Sequence, residues 1–512
     1  MDLLGNLAHG FAVALTPANL LYCFLGALIG TAIGVLPGLG PPATIALLLP
    51  VTYGIPPTSA VILLAGIFYG AMYGGSTTSI LLNIPGEAAS VVTCLDGYQM
   101  ARQGRAGAAL AVSALGSFVA GTLGIVGLMV LAPPLASFAL RFGAPENAAL
   151  LVLGLMMVGY LGGGSMAKGL SMAALGLLLG TVGLDPIVGD ARFTYGIFKL
   201  AEGFQFILVA MGLFGIGEVL VNIERMVRPE VLRTRIAGLL GTREEWRRAA
   251  GPTARGSLLG FLIGVLPGGG AVIASFIAYA LEKRLSRHPE RFGRGAVEGV
   301  AAPEAANNAA ATSSFVPLLT LGIPGNASIA LILAALLIHG IRPGPLLIQQ
   351  KPELFWGLIA SMYLGNLMLV VLNLPLIGLW VKLLQVPYPL LAPFIVVFVL
   401  VGAYSVNNSA SDVGITVIFG LLGYLMRKFD FEPAPLVLAM ILGPQLEASL
   451  RRALIYARGD LLIFVERPIA ATLLALAALL LLAPLVRRAA RRRLADVLAP
   501  APADDPHGRQ GA

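Results

Sequence analysis

Gly34-Val35-Leu36-Pro37-Gly38 recurs as Gly264-Val265-Leu266-Pro267-Gly268, each time inside a long apolar stretch. Widening the window aligns Ala27–Gly40 (ALIGTAIGVLPGLG) with Ser257–Gly270 (SLLGFLIGVLPGGG), with nine of fourteen positions identical and 230 residues between the copies. A second pair follows each copy, Ile84-Pro85-Gly86 and Ile323-Pro324-Gly325, now 239 residues apart. The slippage matches an extra polar loop, Glu282–Arg294, found only in the second half. Apolar segments interrupted by Gly and Pro at corresponding places of two halves point to a secondary transporter whose site lies at the repeat interface.

Composition sets the surroundings in which those segments must fold. The chain has 512 residues, of which 57% are hydrophobic and only 12% charged, and its mean hydropathy is +0.86. That is more apolar surface than a soluble core can hide, so an all-α polytopic membrane protein is expected, with about 11–12 transmembrane segments. The net charge of +8 does not indicate nucleic acid, because the basic residues crowd into a few short loops and the C-terminal tail rather than a patch with interleaved aromatics. Cys23 and Cys94 are the two cysteines and have no CxxC partner, so neither a disulfide nor a metal centre is read. The first residues lack a basic n-region and include Asp2, which argues against a cleaved signal peptide.

Expected spans of roughly twenty residues fall at Thr58–Ile84, Ala108–Leu131, Glu146–Leu161, Leu170–Leu184, Gly203–Val221, Glu298–Ile323, Leu354–Leu374, Tyr388–Ala403, Ile415–Met426, Pro435–Leu450 and Ala470–Val486. The chain divides into a first repeat (1–221), a basic linker loop (222–256), a second repeat (257–452), a C-terminal transmembrane helix (453–486) and a basic tail expected to be disordered (487–512). The linker loop, with Arg225 to Arg255, and the loop Glu282–Arg294 are both rich in arginine, so both belong in the cytoplasm. The second GVLPG copy between them then enters the membrane and returns, as a re-entrant hairpin with Pro267, Gly268 and Gly270 at its tip. Such backbone needs protein or a wet cavity around it. Counting helices outward from these loops puts Arg102, Arg105, Lys168, Arg427, Lys428 and the tail inside. The first hairpin then opens outward and the second inward, giving two inverted repeats with broken helices. Arg451, Arg452 and Arg458 fall on the outer side, against the charge rule.

Polar side chains recur at matching depths in the two halves. Tyr69–Ser79 contains Gly74, Gly75, Ser76 and Thr77, and the corresponding stretch holds Asn307, Asn308, Thr312, Ser313 and Ser314; both stretches are expected either to unwind or to allow close backbone approach. Small and hydroxyl residues line tight helix contacts in membranes without any ligand, but the duplication and the adjacent Ile-Pro-Gly turns favour substrate binding here. Gly and Pro at the breaks, namely Pro37, Gly38, Gly40, Pro85, Gly86, Pro267, Gly268, Gly270, Pro324 and Gly325, free backbone N–H and C=O groups. Helix N-termini attract carboxylates, and freed carbonyls with Ser, Thr and Asn oxygens suit a hard cation such as sodium. Asp96 and Glu304 are candidate coupling acids, although Asp96-Gly97 also reads as a turn. His339 and Arg342 read equally as interfacial anchors. Asn407–Asp412 is a polar break between helices and reads as a surface turn, with a third element lining the site as the alternative.

GVLPGLGPPATIALLLP, YGAMYGGSTTSILLNIPGEAASVVTCLDGYQMARQG, PEAANNAAATSSFVPLLTLGIPG and HGIRPGP together resemble the large membrane subunit of the tripartite tricarboxylate transporters, the TctA family. The resemblance runs from about Leu20 to Arg452. It implies a multi-pass permease of the bacterial inner membrane, working with a small TctB-like membrane subunit and a periplasmic TctC-like solute-binding protein. Its cargo would be a citrate-like acid, another di- or tricarboxylate or an aromatic acid, driven by Na+ or H+, with elevator-like motion by analogy. A membrane enzyme is disfavoured because His9, His288, His339 and His507 are scattered, and no Walker-type loop is present. A channel is disfavoured by the paired hairpins. The runner-up is a stand-alone cation-coupled carboxylate permease.

Overall fold

The structure, a computed structural model, describes residues 3–36, 40–159, 165–185, 188–224, 241–266, 268, 270–384, 386 and 388–482. Pro37, Gly38, Pro267, residues 225–240 of the expected linker loop and the basic tail lie outside the described residues. Within them the chain is helical apart from a two-residue antiparallel ladder, Gly183–Leu184 against Ala191–Arg192. Among the described residues seven helices are long and apolar enough to cross a bilayer: Pro17–Val35, Pro57–Leu82, Ala106–Ala139, Phe206–Glu224, Pro352–Asn373, Tyr388–Asn407 and Ala410–Lys428. Leu3–Ala14, Ala144–Met157, Met166–Gly180, Ala327–Ile338 and Pro468–Leu482 are shorter apolar helices. The chain is thus a multi-pass membrane protein, as its composition demands.

Two helices sit at the centre, one from each half. Pro57–Leu82 is buried along almost its whole length, and so is Glu298–Ser313. Against the first packs Pro17–Val35, and Pro41–Leu48 follows it in the chain. Against the second packs Arg243–Val265, and Gly270–Leu285 follows it in the chain. The two seams are built alike. Gly26, Gly30 and Gly34 face the carbonyls of Leu63, Ile67 and Ala71, while Gly256, Gly260 and Gly264 face those of Ala302, Ala306 and Ala310. The glycines are spaced by 230 and the carbonyls by 239, the offsets of the two sequence duplications. Glycine at every fourth position lets the backbones approach to dispersion contact, which drives helix association where no water is present to be expelled.

The Ile-Pro-Gly turns are also built alike. Asn83 (φ 58) and Gly322 (φ 70) end the preceding helices in the left-handed conformation, and Glu87 and Asn326 then cap the next helical turns with their side chains. All three positions, cap, turn and N-cap, keep the 239-residue offset.

Two expectations need correction. Arg243–Gly256 is not loop: it forms the polar first half of the Arg243–Val265 helix, started by a capping box between Thr242 and Glu245. The stretches around Gly74–Thr77 and Asn307–Ser313 are not unwound either, because both lie within continuous helix. The breaks come later, at Asn83 and Gly322, where glycine or asparagine tolerates a positive φ.

Ion pairs gather on two separate faces. On one, Arg105 meets Glu245 at 2.7 Å, Arg248 meets Glu298 at 2.8 Å and Gln103 Nε2 donates to Arg294 O at 2.8 Å. Elsewhere, Asp185 and Glu447 together engage Arg192 and Arg451, with Arg451 at 3.0 Å from Asp185 and 2.8 Å from Glu447. That network neutralises Arg451 and removes part of the conflict with the charge rule, which counts unpaired cations.

Burial acts to raise the Glu245 carboxyl, but the Thr242 N–H and hydroxyl and the Arg105 guanidinium outweigh it and hold the group below its usual range. A depressed folded-state pKa stabilises the fold above the unfolded value, and that contribution is lost as pH falls through the folded value. Arg105→Gln is therefore expected to lower the melting temperature in detergent at pH 7, with the difference from wild type closing below about pH 4, where carboxylates protonate. A gap that persisted at acid pH would assign the Arg105 effect to packing instead.

Candidate functional site

The two central helices bring the paired polar segments together. Glu304, 1% exposed, accepts hydrogen bonds from the Ser76 and Thr93 hydroxyls, one on each carboxylate oxygen. A few residues further along the same helix, Asn307 Nδ2 donates to Glu87 Oε1 at 3.1 Å. Glu87 Oε2 accepts from the Ala89 N–H at 2.6 Å. Asn307 Oδ1 is buried and has no hydrogen-bond partner among the described residues. Ser79 Oγ bonds Ser90 Oγ at 2.9 Å and donates to Gly75 O at 3.0 Å, which closes the wall on the Glu87 side.

Glycine is required at Gly75. A Cβ there would stand 2.8 Å from Glu87 Cγ, so the carboxylate reaches Asn307 only because this helix face is bare. Gly86 packs on Gly34 O and on Gly75 Cα, and Thr78 Oγ1 donates to Val35 O at 2.7 Å. The Gly268 N–H donates to Gly325 O at 3.1 Å. In each half the hairpin end is thus tied to the Ile-Pro-Gly turn, and the first of these ties sits directly beside the carboxylate cluster.

Both carboxylates are buried, Glu87 at 8% and Glu304 at 1% exposure. Among the described residues neither forms an ion pair, and every donor around them is neutral. An ionised carboxylate in such a place carries a desolvation cost of several kcal/mol that neutral donors only partly offset. The arrangement is therefore suited to accepting a cation, either a proton or a hard metal ion among carboxylate, hydroxyl and amide oxygens. No group of three or more His, Cys, Asp or Glu side chains gathers among the described residues, which sets the cluster apart from a transition-metal centre.

The other residues singled out in the sequence have different places. Asn308 Nδ2 donates to Ser117 Oγ at 2.7 Å, and Thr312 Oγ1 donates back to Asn308 O at 2.9 Å. Ser313 and Ser314 hydroxyls bond carbonyls of their own helical stretch, while Gly74 packs on the Thr31 carbonyl and Thr77 is buried. Pro85, Pro324, Gly40 and Gly270 lie in or beside the turns. Asp96 does not join the cluster. Its Oδ1 accepts the N–H groups of Gly293, Gly295 and Ala296 at 2.8–2.9 Å, and its Oδ2 accepts Tyr279 OH at 2.9 Å. With four donors on it, that carboxylate anchors the segment after the second hairpin.

Sequence reasoning missed Glu87 and Thr93. The signal was present in Glu87, which directly follows an Ile-Pro-Gly turn and stands 239 residues before Asn326. Thr93 carries no such mark, since it reads only as a hydroxyl in an ordinary helix.

A sequence model described as the tripartite tricarboxylate transporter TctA family matches residues 20–438. An uncharacterised 52.8 kDa protein in the TAR-I ttuC' 3' region of Agrobacterium vitis is 56% identical over 475 residues, covering 93% of this chain and 95% of that protein. An uncharacterised protein in the TAR-II ttuC' 3' region of the same organism is 58% identical over 217 residues, 42% of this chain and 90% of that protein. No solved structure matches.

Proposed function

The chain belongs to the tripartite tricarboxylate transporter TctA family, and from that footing we propose that it is the permease subunit of a binding-protein-dependent secondary transporter. It imports a citrate-like acid, a dicarboxylate or an aromatic acid across the bacterial inner membrane, using a sodium or proton gradient. Its partners are a small TctB-like membrane subunit and a periplasmic TctC-like solute-binding protein.

The observation that carries the coupling is the pair of buried, unpaired carboxylates, Glu304 and Glu87. Ser76, Glu87, Thr93, Glu304 and Asn307 hold the coupling cation. The sequence reading assigned much of this region to the carboxylate substrate, but two acids repel an anion, so the substrate binds elsewhere and the cluster serves its co-ion. Because the cluster is assembled from both halves and tied to the first hairpin end, cation occupancy biases the hairpin positions. Substrate and ion binding are then thermodynamically linked.

The halves are taken as inverted repeats in the membrane. Two contacts support this. The end of Val91–Arg102 lies against the loop after the second hairpin, through Gln103 and Arg294. Conversely, Ala327–Ile338 packs on Pro41–Leu48 of the first hairpin. Each broken helix thus runs toward the open end of the other half's hairpin, as an inverted pair does. In this reading the chain divides into a first repeat and a second one, with 243–256 counted in the second because it is one helix with the segment that follows. Elevator-like movement of the hairpins relative to a scaffold follows by analogy with transporters of this design.

The test is radiolabelled citrate, succinate and benzoate uptake into proteoliposomes containing this chain and its small partner, with the binding protein added or withheld, under an imposed sodium or proton gradient. Uptake that needs both the binding protein and one gradient is expected. Uptake without the binding protein would leave a stand-alone permease, and uptake indifferent to both gradients would overturn the coupled reading.

A further inference from the structure

Away from the Arg105–Glu245 face lies a cavity of about 1160 Å3 whose lining includes Tyr53 at the open end of the first hairpin. Leu321 and Gly322, immediately before Ile323-Pro324-Gly325, line it as well, so it reaches the turn that holds the second hairpin tip. The loop Arg342–Leu346 forms another part of the wall, and the Ala434–Tyr456 helix contributes Gln445, Ser449 and Arg452.

Two guanidinium groups line this cavity, those of Arg342 and Arg452. Arg451, the neighbour in sequence, is engaged by Asp185 and Glu447. Arg452 instead donates to its own helix, to Ala448 O at 3.1 Å and Ser449 Oγ at 3.4 Å. Among the described residues neither Arg342 nor Arg452 pairs with an acid. The acid in the lining, Glu202, shares Lys199 with the buried Asp412, each at 3.1 Å, so one negative charge stands against the two arginines. Asn147, Gln205 and Gln445 supply neutral amides, and much of the remaining wall is apolar. The lining therefore combines net positive charge, neutral donors and apolar surface.

We propose that this cavity is the carboxylate entry site, with Arg342 and Arg452 each holding one carboxylate of a di- or tricarboxylate. The inference rests on the proposed function and adds to it the substrate's location and the residues that bind it. Guanidinium forks match carboxylates in two parallel hydrogen bonds. The volume exceeds that of common small-molecule sites, about 300–1000 Å3, leaving room for a hydrated polycarboxylate. The arrangement also separates the charges: the anion meets arginines here and the cation meets acids at Glu304. Communication runs through Gly322 and the Ile-Pro-Gly turn to the second hairpin tip. Counting helices outward from the two arginine-rich loops puts the cavity mouth on the periplasmic side, where a binding protein releases its load.

The test places a cysteine at Leu346, which is 46% exposed and lines the cavity. Cys23 and Cys94 are buried and leave little background. In right-side-out vesicles carrying the complex, labelling of Leu346→Cys by a membrane-impermeant maleimide is expected to slow with citrate or succinate and not with acetate. The half-protecting concentration should rise about tenfold or more in Arg342→Gln or Arg452→Gln, as expected for loss of a hydrogen-bonded charge pair. Arg→Lys should restore part of the protection. Gradient-driven uptake is measured in the same vesicles. Uptake by the parent with protection absent, or unchanged in both Gln variants, overturns this assignment alone. Loss of uptake and protection together in the parent overturns the proposed function and this site with it.

Discussion

Glu304→Gln is expected to reduce gradient-driven carboxylate uptake by about a hundredfold while leaving the protein folded and inserted. The carboxamide is nearly isosteric and keeps one oxygen to accept from Ser76 or Thr93. What it loses is the negative charge, and with it both the affinity for a metal cation and the capacity to carry a proton. Hydrogen-bonded charge interactions are worth about 1.5–3 kcal/mol each, so loss of this ligand weakens cation binding by one to two orders of magnitude. Thermal stability should move the other way. Removing a buried charge that no cation accompanies relieves a desolvation cost, so the variant should melt at or above the wild-type temperature in detergent. Glu87→Gln should behave alike. The combination of lost uptake with preserved or raised stability marks a functional acid. Uptake with unchanged gradient dependence would remove Glu304 from the coupling site, and a large fall in melting temperature would make it a structural group.

Gly30→Leu and Gly260→Leu should each prevent accumulation of folded protein, and by similar amounts, because they occupy the same place in the two seams. A Cβ at Gly30 would stand 2.5 Å from Ile67 O, and one at Gly260 would stand 2.6 Å from Ala306 Cα. Backbone cannot step aside as a side chain can. The helices must separate, losing the close contact that holds them together in lipid. Overpacking costs of about 1–3 kcal/mol for one or two methylenes are a lower bound for a branched four-carbon side chain against backbone. Monodisperse yield and detergent melting temperature provide the measurement, with Gly414→Leu as the control, since a Cβ there meets nothing within 4 Å. Wild-type yield from either seam variant would contradict the close approach. A strong effect at one site and none at the other would contradict their equivalence.

The comparison of reading and structure turns on particular residues. The helix spans were legible within a few residues at Thr58–Ile84 and Leu354–Leu374, where the structure has Pro57–Leu82 and Pro352–Asn373. Hydrophobic length and flanking prolines are local signals, and the helices obey them. The polar first half of Arg243–Val265 was misread as loop because a run of arginines imitates a solvated linker, while the Thr242 to Glu245 capping box that marks its start was passed over. The expected unwinding near Gly75 failed for a related reason. In these helices glycine serves close approach, and the chain breaks only where φ turns positive at Asn83 and Gly322.

From the sequence alone came the membrane setting, the duplication with its two offsets, the hairpin positions and the family resemblance, because each rests on residue type and spacing along the chain. Tertiary structure decided which acids face one another. Asp96 and Glu304 look equivalent as intramembrane carboxylates, yet one accepts three backbone N–H groups and a tyrosine hydroxyl while the other meets only neutral hydroxyls. Glu87 and Asn307, 220 positions apart, become partners only when the two central helices pack. Whether a buried charge is satisfied depends on the donors that folding brings within about 3 Å of it, and no local pattern encodes that.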